Sequence, residues 1–176
     1  DVYFMLGKLE KAGSREATNV ESLQSIWVDI DCGEGKANSI ESSTGQPQGY
    51  ETKKDAQLAL KKFCETVGLP FPAVIDSGGG IHAYWAFTEE VPRSQWLPIC
   101  KRLKQICVTQ EFYADQRVFD ASRVLRMPGT FNQKYDPPAP VSVLRPSTNR
   151  VTPEEIREIL GVDPNAEEVE RKPLAK

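Results

Sequence analysis

The chain has 176 residues, which is enough for one domain with a hydrophobic core of its own. Hydrophobic residues make up 39% and charged residues 27%, the proportions of a soluble globular chain and not of a disordered or membrane protein. No apolar run approaches the roughly 18 residues of a membrane span, and the N-terminus lacks the order of a signal peptide. We therefore expect a cytoplasmic protein that makes no membrane contact.

The net charge of −3 is unevenly distributed. Residues 1–92 carry 8 Lys and Arg against 14 Asp and Glu, residues 93–150 carry 10 against 4, and residues 151–176 carry 4 against 7. The formal charges are therefore −6, +6 and −3. An acidic half beside a basic half fits a protein in which cations and phosphates meet, and chance clustering of surface charge is the alternative.

Residues 2–6 predict a short strand, and residues 25–32 (SIWVDIDC) predict a longer one. Side chains on a strand alternate between its faces, so Asp29 and Asp31 point the same way. Two neighbouring anions repel each other unless a cation lies between them, most simply a hard divalent ion with oxygen ligands. A strand end that leads into a polar turn is the alternative interpretation.

Residues 33–50 are rich in Gly, Ser and Gln and follow no period, which predicts an exposed loop with a functional or mobile role. Thr52 is the predicted N-cap of a helix, with Asp55 three residues later in a variant of the capping box. Apolar residues continue at helical spacing to Val67, and Gly68 ends the helix.

A hairpin is predicted next. Residues 73–76 and 81–87 have the composition of strands, and the run SGGG at residues 77–80 joins them. A glycine turn exposes backbone N–H groups without side-chain obstruction, which favours the approach of a phosphate. His82, the chain's single histidine, follows this turn and shares a strand face with Tyr84.

Ser94 is predicted to cap a second helix that continues to about Thr109. Trp96 falls on its apolar stripe, so we expect this ring in the core and not on a base-stacking surface. The four cysteines, Cys32, Cys64, Cys100 and Cys107, form no CxxC pair. Buried thiols are therefore predicted in place of a zinc site or disulfides.

The densest group of charged and polar residues lies between positions 114 and 134. Arg123 and Arg126 flank an apolar pair, and a Pro-Gly-Thr turn brings Asn132 and Lys134 back toward them. Arg, Lys and Asn side chains near carboxylates can form a phosphate clamp, and a salt-bridged surface is the alternative.

Residues 141–144 predict a last strand, and Thr152 with Pro153 predicts the start of a short helix that ends at Leu160. Residues 163–176 are charged and contain two prolines, which is typical of a disordered tail or linker. We expect the full-length protein to continue beyond it.

Three motifs, VDID at 28–31, SGGGIHAYW at 77–85 and DxxVFxxxRxLRMPGTFNxK at 115–134, together resemble the archaeo-eukaryotic primase (AEP) superfamily. The resemblance is strongest to the primase-polymerase (PrimPol) domains of phages and plasmids and covers roughly residues 1–150. It implies an α+β fold in which an RRM-like antiparallel sheet carries the carboxylates beside a smaller α/β unit. It also implies a catalytic domain at residues 1–160 and a charged tail or linker at residues 161–176.

The resemblance also implies the roles of individual residues. Asp29 and Asp31 correspond to the first two metal ligands, Asp115 is the preferred third ligand, and Asp120 is the alternative. Gly80 stands where the family has a serine before the histidine, so it stays open whether Ser77 takes over that phosphate contact. The implied catalytic residues are Asp29, Asp31, Asp115 and His82. The implied nucleotide-binding residues are Ser77, Gly79, Gly80, His82, Arg123, Arg126, Asn132 and Lys134.

The implied function is template-dependent nucleotidyl transfer by a DNA primase or DNA polymerase that uses two Mg²⁺ or Mn²⁺ ions. The implied partners are NTP or dNTP, single-stranded or primed DNA, and a helicase or accessory domain C-terminal to this segment. A non-catalytic nucleic-acid-binding or replication-initiator module is the alternative, but it gives no reason for three acidic positions. A rolling-circle nicking enzyme normally needs two clustered histidines, and this chain has one.

Overall fold

An antiparallel sheet forms the centre of the computed structural model, which describes residues 1–168. The strands are β1 (Tyr3–Met5), β2 (Gly7–Leu9), β3 (Val20–Cys32), β4 (Ile40–Glu41), β5 (Gln46–Pro47), β6 (Gly49–Tyr50), β7 (Ala73–Asp76), β8 (Gly80–Pro92), β9 (Val124–Arg126), β10 (Thr130–Asn132) and β11 (Ala139–Arg145). The helices are α1 (Glu34–Ala37), α2 (Lys53–Val67), α3 (Arg93–Thr109) and α4 (Pro153–Leu160). The predicted α+β class is confirmed.

The main sheet has the strand order β10-β11-β7-β8-β3-β2, and all its neighbours along this path are antiparallel. The short strand β6 pairs with the end of β3 in parallel. Strands β1 and β9 form a separate pair, as do β4 and β5. The hairpin β7–β8 and its partner β3 place His82 directly opposite Asp29 and Gly80 opposite Asp31. The sheet register therefore brings two of the three sequence motifs together.

Core residues cover both faces of β3, since Val28 and Ile30 are fully buried on one face and Trp27 is 2% exposed on the face that carries Asp29. Trp96 of α3 is also fully buried, as predicted, and its ring stacks on Trp27 at a centroid distance of 5.2 Å. Its Nε1 donates a hydrogen bond to the Ser25 carbonyl at 2.9 Å, so the one polar atom of this side chain is satisfied. Burying a side chain of this size stabilises the fold by roughly 3 kcal/mol.

Three of the four cysteines match the prediction of buried thiols, and Cys32 does not. Cys64, Cys100 and Cys107 are buried, Cys32 is half-buried, and all four are free. Burial raises the pKa of the Cys64 thiol to about 12, since a thiolate would lose its hydration there.

Helix boundaries were mostly predictable. The Thr52 hydroxyl accepts a hydrogen bond from the Asp55 N–H at 3.1 Å, and Gly68 ends α2 with a φ of 86°. Thr152 forms a complete capping box at the start of α4. The prediction of Ser94 as a cap is wrong, because β8 runs into α3 without a loop and Pro92 is the residue before the helix.

The segment 33–50, predicted as an irregular loop, contains α1 and the three short strands β4, β5 and β6. It lies close to the main sheet because Gly49 has no side chain. A Cβ at that position would lie 2.2 Å from the Asp31 carbonyl oxygen. The segment is therefore part of the folded domain beside the Asp29 and Asp31 strand.

Residues 161–168 return to α3. Arg157 is only 5% exposed, and its guanidinium donates hydrogen bonds to the carbonyls of Gln95 at 2.8 Å and Asp163 at 2.9 Å. The N–H of Glu168 donates to the Ser94 carbonyl at 2.8 Å. These residues are hydrogen-bonded to the domain, and the rest of the predicted tail, residues 169–176, lies outside the described residues. Nowhere in residues 1–168 is there a helix both long and apolar enough to cross a membrane.

Candidate active site

Three carboxylates lie near one another on β3 and on the segment that follows α3. Asp29 and Asp31 lie on β3, and the segment after α3 lies against this strand through a hydrogen bond from the Asp115 N–H to the Asp29 carbonyl at 2.8 Å. Burial, together with the charges of Asp31 and Asp115, raises the pKa of the Asp29 carboxyl to about 7. A carboxylate that is this costly to ionise is characteristic of a site that takes up a cation or a proton.

Two cations already neutralise the other carboxylates. Lys36 of α1 lies 2.6 Å from Asp31, measured from Nζ to Oδ2. Arg117 contacts Asp115 through its Nε at 3.1 Å and its backbone N–H at 2.9 Å. Burial alone would raise the pKa of Asp115, but these hydrogen bonds and the guanidinium charge lower it. Neither cation was predicted as a partner from the sequence, since Lys36 lies in the predicted loop and nothing in its spacing marks a partner.

The donor set fits a hard divalent ion, because carboxylate oxygens are the ligands that Mg²⁺ and Mn²⁺ take up. In this conformation, however, no group of three His, Cys, Asp or Glu side chains within residues 1–168 is close enough to hold a metal ion. Asp31 and Asp115 would have to turn away from Lys36 and Arg117 before they could share an ion with Asp29.

Asp120, the alternative third ligand, has a different environment. It is exposed, and its Oδ1 accepts hydrogen bonds from the Ser122 N–H at 2.7 Å and the Ser122 hydroxyl at 2.6 Å. This carboxylate stabilises a turn, whereas Asp115 is the one that raises the pKa of Asp29.

His82 lies beside this group and is only 1% exposed. Its Nε2 is 3.7 Å from the Asp29 Oδ1, and its Nδ1 is 3.1 Å from the Tyr84 hydroxyl. Burial, reinforced by the positive charge of Arg126, lowers the pKa of His82 to about 4. The imidazole is therefore neutral at pH 7 and carries a single N–H.

The glycine turn fits closely against β3. A Cβ at Gly80 would lie 2.1 Å from the Ile30 carbonyl oxygen, so only glycine allows this approach. Asp76 orders the turn, since its Oδ1 accepts from the Gly78 N–H at 2.8 Å and from Lys53 Nζ at 2.7 Å. The predicted hairpin is confirmed, while the contact of Lys53 with Asp76 was not predicted.

Asn132 supports the same turn. It is only 2% exposed, and its Nδ2 donates to the carbonyl of Ser77 at 3.0 Å while its Oδ1 accepts from the Lys134 N–H at 3.1 Å. The prediction that Asn132 faces a phosphate therefore does not match its position, because the side chain is enclosed and hydrogen-bonded within the protein. Ser77 is also buried, and Lys134 is exposed.

Arg123 and Arg126 lie beside the carboxylates, as predicted, and both charges lower the pKa of Asp29 against the larger effect of burial. Arg126 is 17% exposed, lies 3.6 Å from Asp1 and has its guanidinium 5.3 Å above the ring of Tyr3. The Nε atoms of both arginines are buried without a hydrogen-bond partner in the described part of the chain. Unpaired buried donors call for an acceptor, and a phosphate supplies several.

Comparisons with known proteins agree with this architecture. The chain is 31% identical over 137 residues to a replication protein from Clostridium perfringens, a match that covers 76% of the chain and 30% of that protein. It is similar to the solved AEP domain of the primase-polymerase of cyanophage S-2L, with a TM-score of 0.61, 21% identity, and coverage of 90% of this chain and 69% of that domain's chain. No protein-family model matches it. The chain therefore spans about a third of the replication protein, and its fold is that of an archaeo-eukaryotic primase domain of the primase-polymerase type.

Proposed function

We propose that this domain transfers nucleotidyl groups from NTP or dNTP on a single-stranded DNA template, as a DNA primase, a DNA polymerase or both. The observation that carries the proposal is the contact of Asp115 with Asp29 beside Asp31, next to two arginines with unpaired buried donors. Carboxylates and arginines in one site suit a metal-bound triphosphate, since each group neutralises a different charge of that substrate.

Asp29, Asp31 and Asp115 are the residues that would hold Mg²⁺ or Mn²⁺. Two ions held there would supply Lewis-acid stabilisation of the charge on an attacking 3′-hydroxyl and on the leaving pyrophosphate. Without a bound ion, Lys36 pairs with Asp31 and Arg117 pairs with Asp115, which limits the repulsion around Asp29.

Arg123 and Arg126 bind the triphosphate, and the exposed Lys134 adds a mobile positive charge at its edge. Neither Nε atom has a hydrogen-bond partner in the described chain, so a phosphate that draws these side chains out of their enclosed positions gives each Nε an acceptor. At Gly79 the Tyr135 hydroxyl occupies the space beside the glycine turn, so a phosphate bound at this turn takes the place of that hydroxyl.

His82 donates a hydrogen bond to a phosphate oxygen. We assign the Tyr84 hydroxyl as the donor to Nδ1, because the other ring nitrogen, Nε2, faces the Asp29 carboxyl at 3.7 Å and is the better place for the single proton of the neutral ring. Tyr84 is thus a positioning residue that fixes the tautomer, and His82 serves the nucleotide as a neutral donor in preference to acting as a general base.

Primer extension and thermal unfolding with Mn²⁺ and dNTP test the proposal together. We expect Mn²⁺ with dNTP to raise the melting temperature of the native domain, and Asp29→Ala and Asp115→Asn to abolish extension, a loss of at least about a hundredfold. Asp120→Asn is the matched control, since that exposed carboxylate should leave extension unchanged.

The proposal fails if the native domain shows no metal-dependent shift and Asp29→Ala leaves DNA synthesis intact. Single-stranded DNA binding without nucleotide incorporation would favour a binding module instead. Dinucleotide synthesis by this domain and by the full-length protein would show whether priming needs a helicase or accessory domain.

A further inference from the structure

A groove of about 380 Å³ lies outside the proposed nucleotide site, between α2, β6 and the segment that follows α3. Its wall contains two pairs of stacked aromatic rings. Phe63 and Phe112 lie 4.3 Å apart between ring centroids with an interplanar angle of 17°, and Tyr50 and Tyr113 lie 5.1 Å apart with an angle of 29°. The phenylalanines are buried and the tyrosines are half-buried, so the tyrosine rings form the accessible part of this surface.

The groove adjoins the carboxylates through one shared residue. Tyr113 also lines the cleft that contains Asp31 and Asp115, and it precedes Asp115 by two positions. Tyr50 lies on β6 opposite Cys32, the residue that follows Asp31. The Tyr50 hydroxyl accepts a hydrogen bond from the Tyr113 N–H at 3.2 Å, so the two rings are held together. A strand that passes the carboxylates therefore reaches this groove across a single side chain.

We propose that the groove binds a base of the single-stranded DNA template, stacked on Tyr113, while the sugar-phosphate chain passes the exposed Lys62 at the rim. The inference rests on the proposed function, because that function requires a single-stranded DNA template. A base has a flat π surface that matches the tyrosine rings. It also has polar edges, which match the polar wall residues Thr66 and Gln110.

The same wall disfavours a purely apolar occupant. An aliphatic side chain from another protein would leave the Thr66 hydroxyl and the Gln110 amide facing carbon atoms, and unsatisfied polar groups weaken binding. Lys62 and Glu111 carry opposite charges in the same wall, so the rim has no net charge that would attract a free ion. A stacked base with its phosphate at Lys62 contacts both the aromatic rings and the polar residues of the wall.

The test fills the groove from its α2 wall. Ala59 lies in its wall on α2, so Ala59→Trp should occupy the space of the base. The matched control is Leu58→Trp, which introduces the same side chain at a neighbouring, 58% exposed position of that helix. Lys62→Gln is a milder variant that leaves the wall intact, and thermal unfolding checks that each variant folds.

Two readouts use the whole domain with oligo-dT. In fluorescence anisotropy, we expect Ala59→Trp to weaken binding about tenfold and Lys62→Gln severalfold, with Leu58→Trp unchanged. In photo-crosslinking with 5-iodouracil in the strand, we expect the adduct on the peptide that contains Tyr113 or Tyr50. Ala59→Trp should remove that adduct and leave the thermal shift by Mn²⁺ and dNTP unchanged.

Native affinity for oligo-dT in both groove variants, or an adduct only on other peptides, would overturn the inference. A change of oligomeric state in Ala59→Trp without loss of DNA binding would overturn it too, since the groove would then be a protein interface. Failure of the proposed function is a separate result. It would appear as absent nucleotide incorporation by the native domain, whatever the position of the crosslink.

Discussion

Replacing Asp29 by asparagine should stabilise the folded domain while removing its activity. The pKa of this carboxyl rises from 3.8 to about 7 in the folded protein, because the group is buried and faces two other carboxylates. One pKa unit corresponds to about 1.4 kcal/mol, so an ionised Asp29 lowers the free energy of unfolding by up to about 4 kcal/mol. Asparagine has nearly the same shape and carries no charge, so the variant avoids this loss.

The effect has a definite pH window. Below about pH 4 the carboxyl is protonated in both the folded and the unfolded chain, so the native protein and the variant should be equally stable. Between about pH 4 and pH 7 the unfolded chain releases its proton first, so native stability falls as the pH rises. At pH 8 we expect the free energy of unfolding of Asp29→Asn to exceed that of the native protein by about 2 to 4 kcal/mol.

Urea unfolding at a series of pH values from 4.5 to 8, in EDTA, measures this difference. Divalent ions must be absent, because they would stabilise the native protein selectively. Asp120→Asn is the control, since its exposed carboxylate is hydrogen-bonded to Ser122 and should give no such gain at pH 8. A stability gain for Asp29→Asn that is the same at pH 4.5 and pH 8, or a loss at pH 8, would refute this electrostatic account.

Three further outcomes can be checked with single substitutions. Gly80→Ala should destabilise the domain by about 2 kcal/mol or more in urea unfolding, because its Cβ would lie 2.1 Å from a backbone carbonyl oxygen. Gly79→Ala is the control and should cost less than about 1 kcal/mol, because its Cβ would meet the Tyr135 hydroxyl, which lies at the end of a movable side chain. Equal losses would contradict the predicted contact. Tyr84→Phe should raise the KM for dNTP about fivefold, which corresponds to the loss of one hydrogen bond. It should also shift the ¹⁵N resonances of His82 toward a mixture of tautomers. Unchanged resonances would show that the hydroxyl does not set the tautomer. Arg157→Met should lower the free energy of unfolding by about 1 to 3 kcal/mol, because the carbonyls of Gln95 and Asp163 lose their hydrogen-bond donor. An unchanged free energy of unfolding would mean that residues 161–168 do not depend on this side chain.

The strands and helices that carry the site could be predicted from sequence because their patterns are long. The β3 segment has alternating apolar positions around Asp29 and Asp31, and α2 has a cap at each end. Segment 33–50 could not be predicted, since strands of two residues have no period to detect. Their position depends on tertiary pairing with β3 and not on local preference.

The candidate site was predictable as a set of residues and less so as a set of contacts. Asp29, Asp115 and His82 lie together as expected, because β3 pairs with β8 and the segment after α3 covers its edge. The partners of the carboxylates were missed, since any of the many lysines and arginines could have paired with them. That Asn132 binds a nucleotide stays a prediction, and its hydrogen bond to the Ser77 carbonyl shows that a polar residue near a turn can also serve the fold.

The position of Asp115 has a consequence for the behaviour of the domain under stress. Between its pairings with β2 and β6, one edge of β3 has no strand neighbour in the described chain, and the segment that carries Asp115 covers it. An uncovered strand edge is a template for pairing with other chains. Local opening of this short segment would therefore remove a carboxylate from the site and expose an aggregation-prone edge in the same event. Loss of activity and the onset of aggregation should then share one temperature dependence, below that of global unfolding.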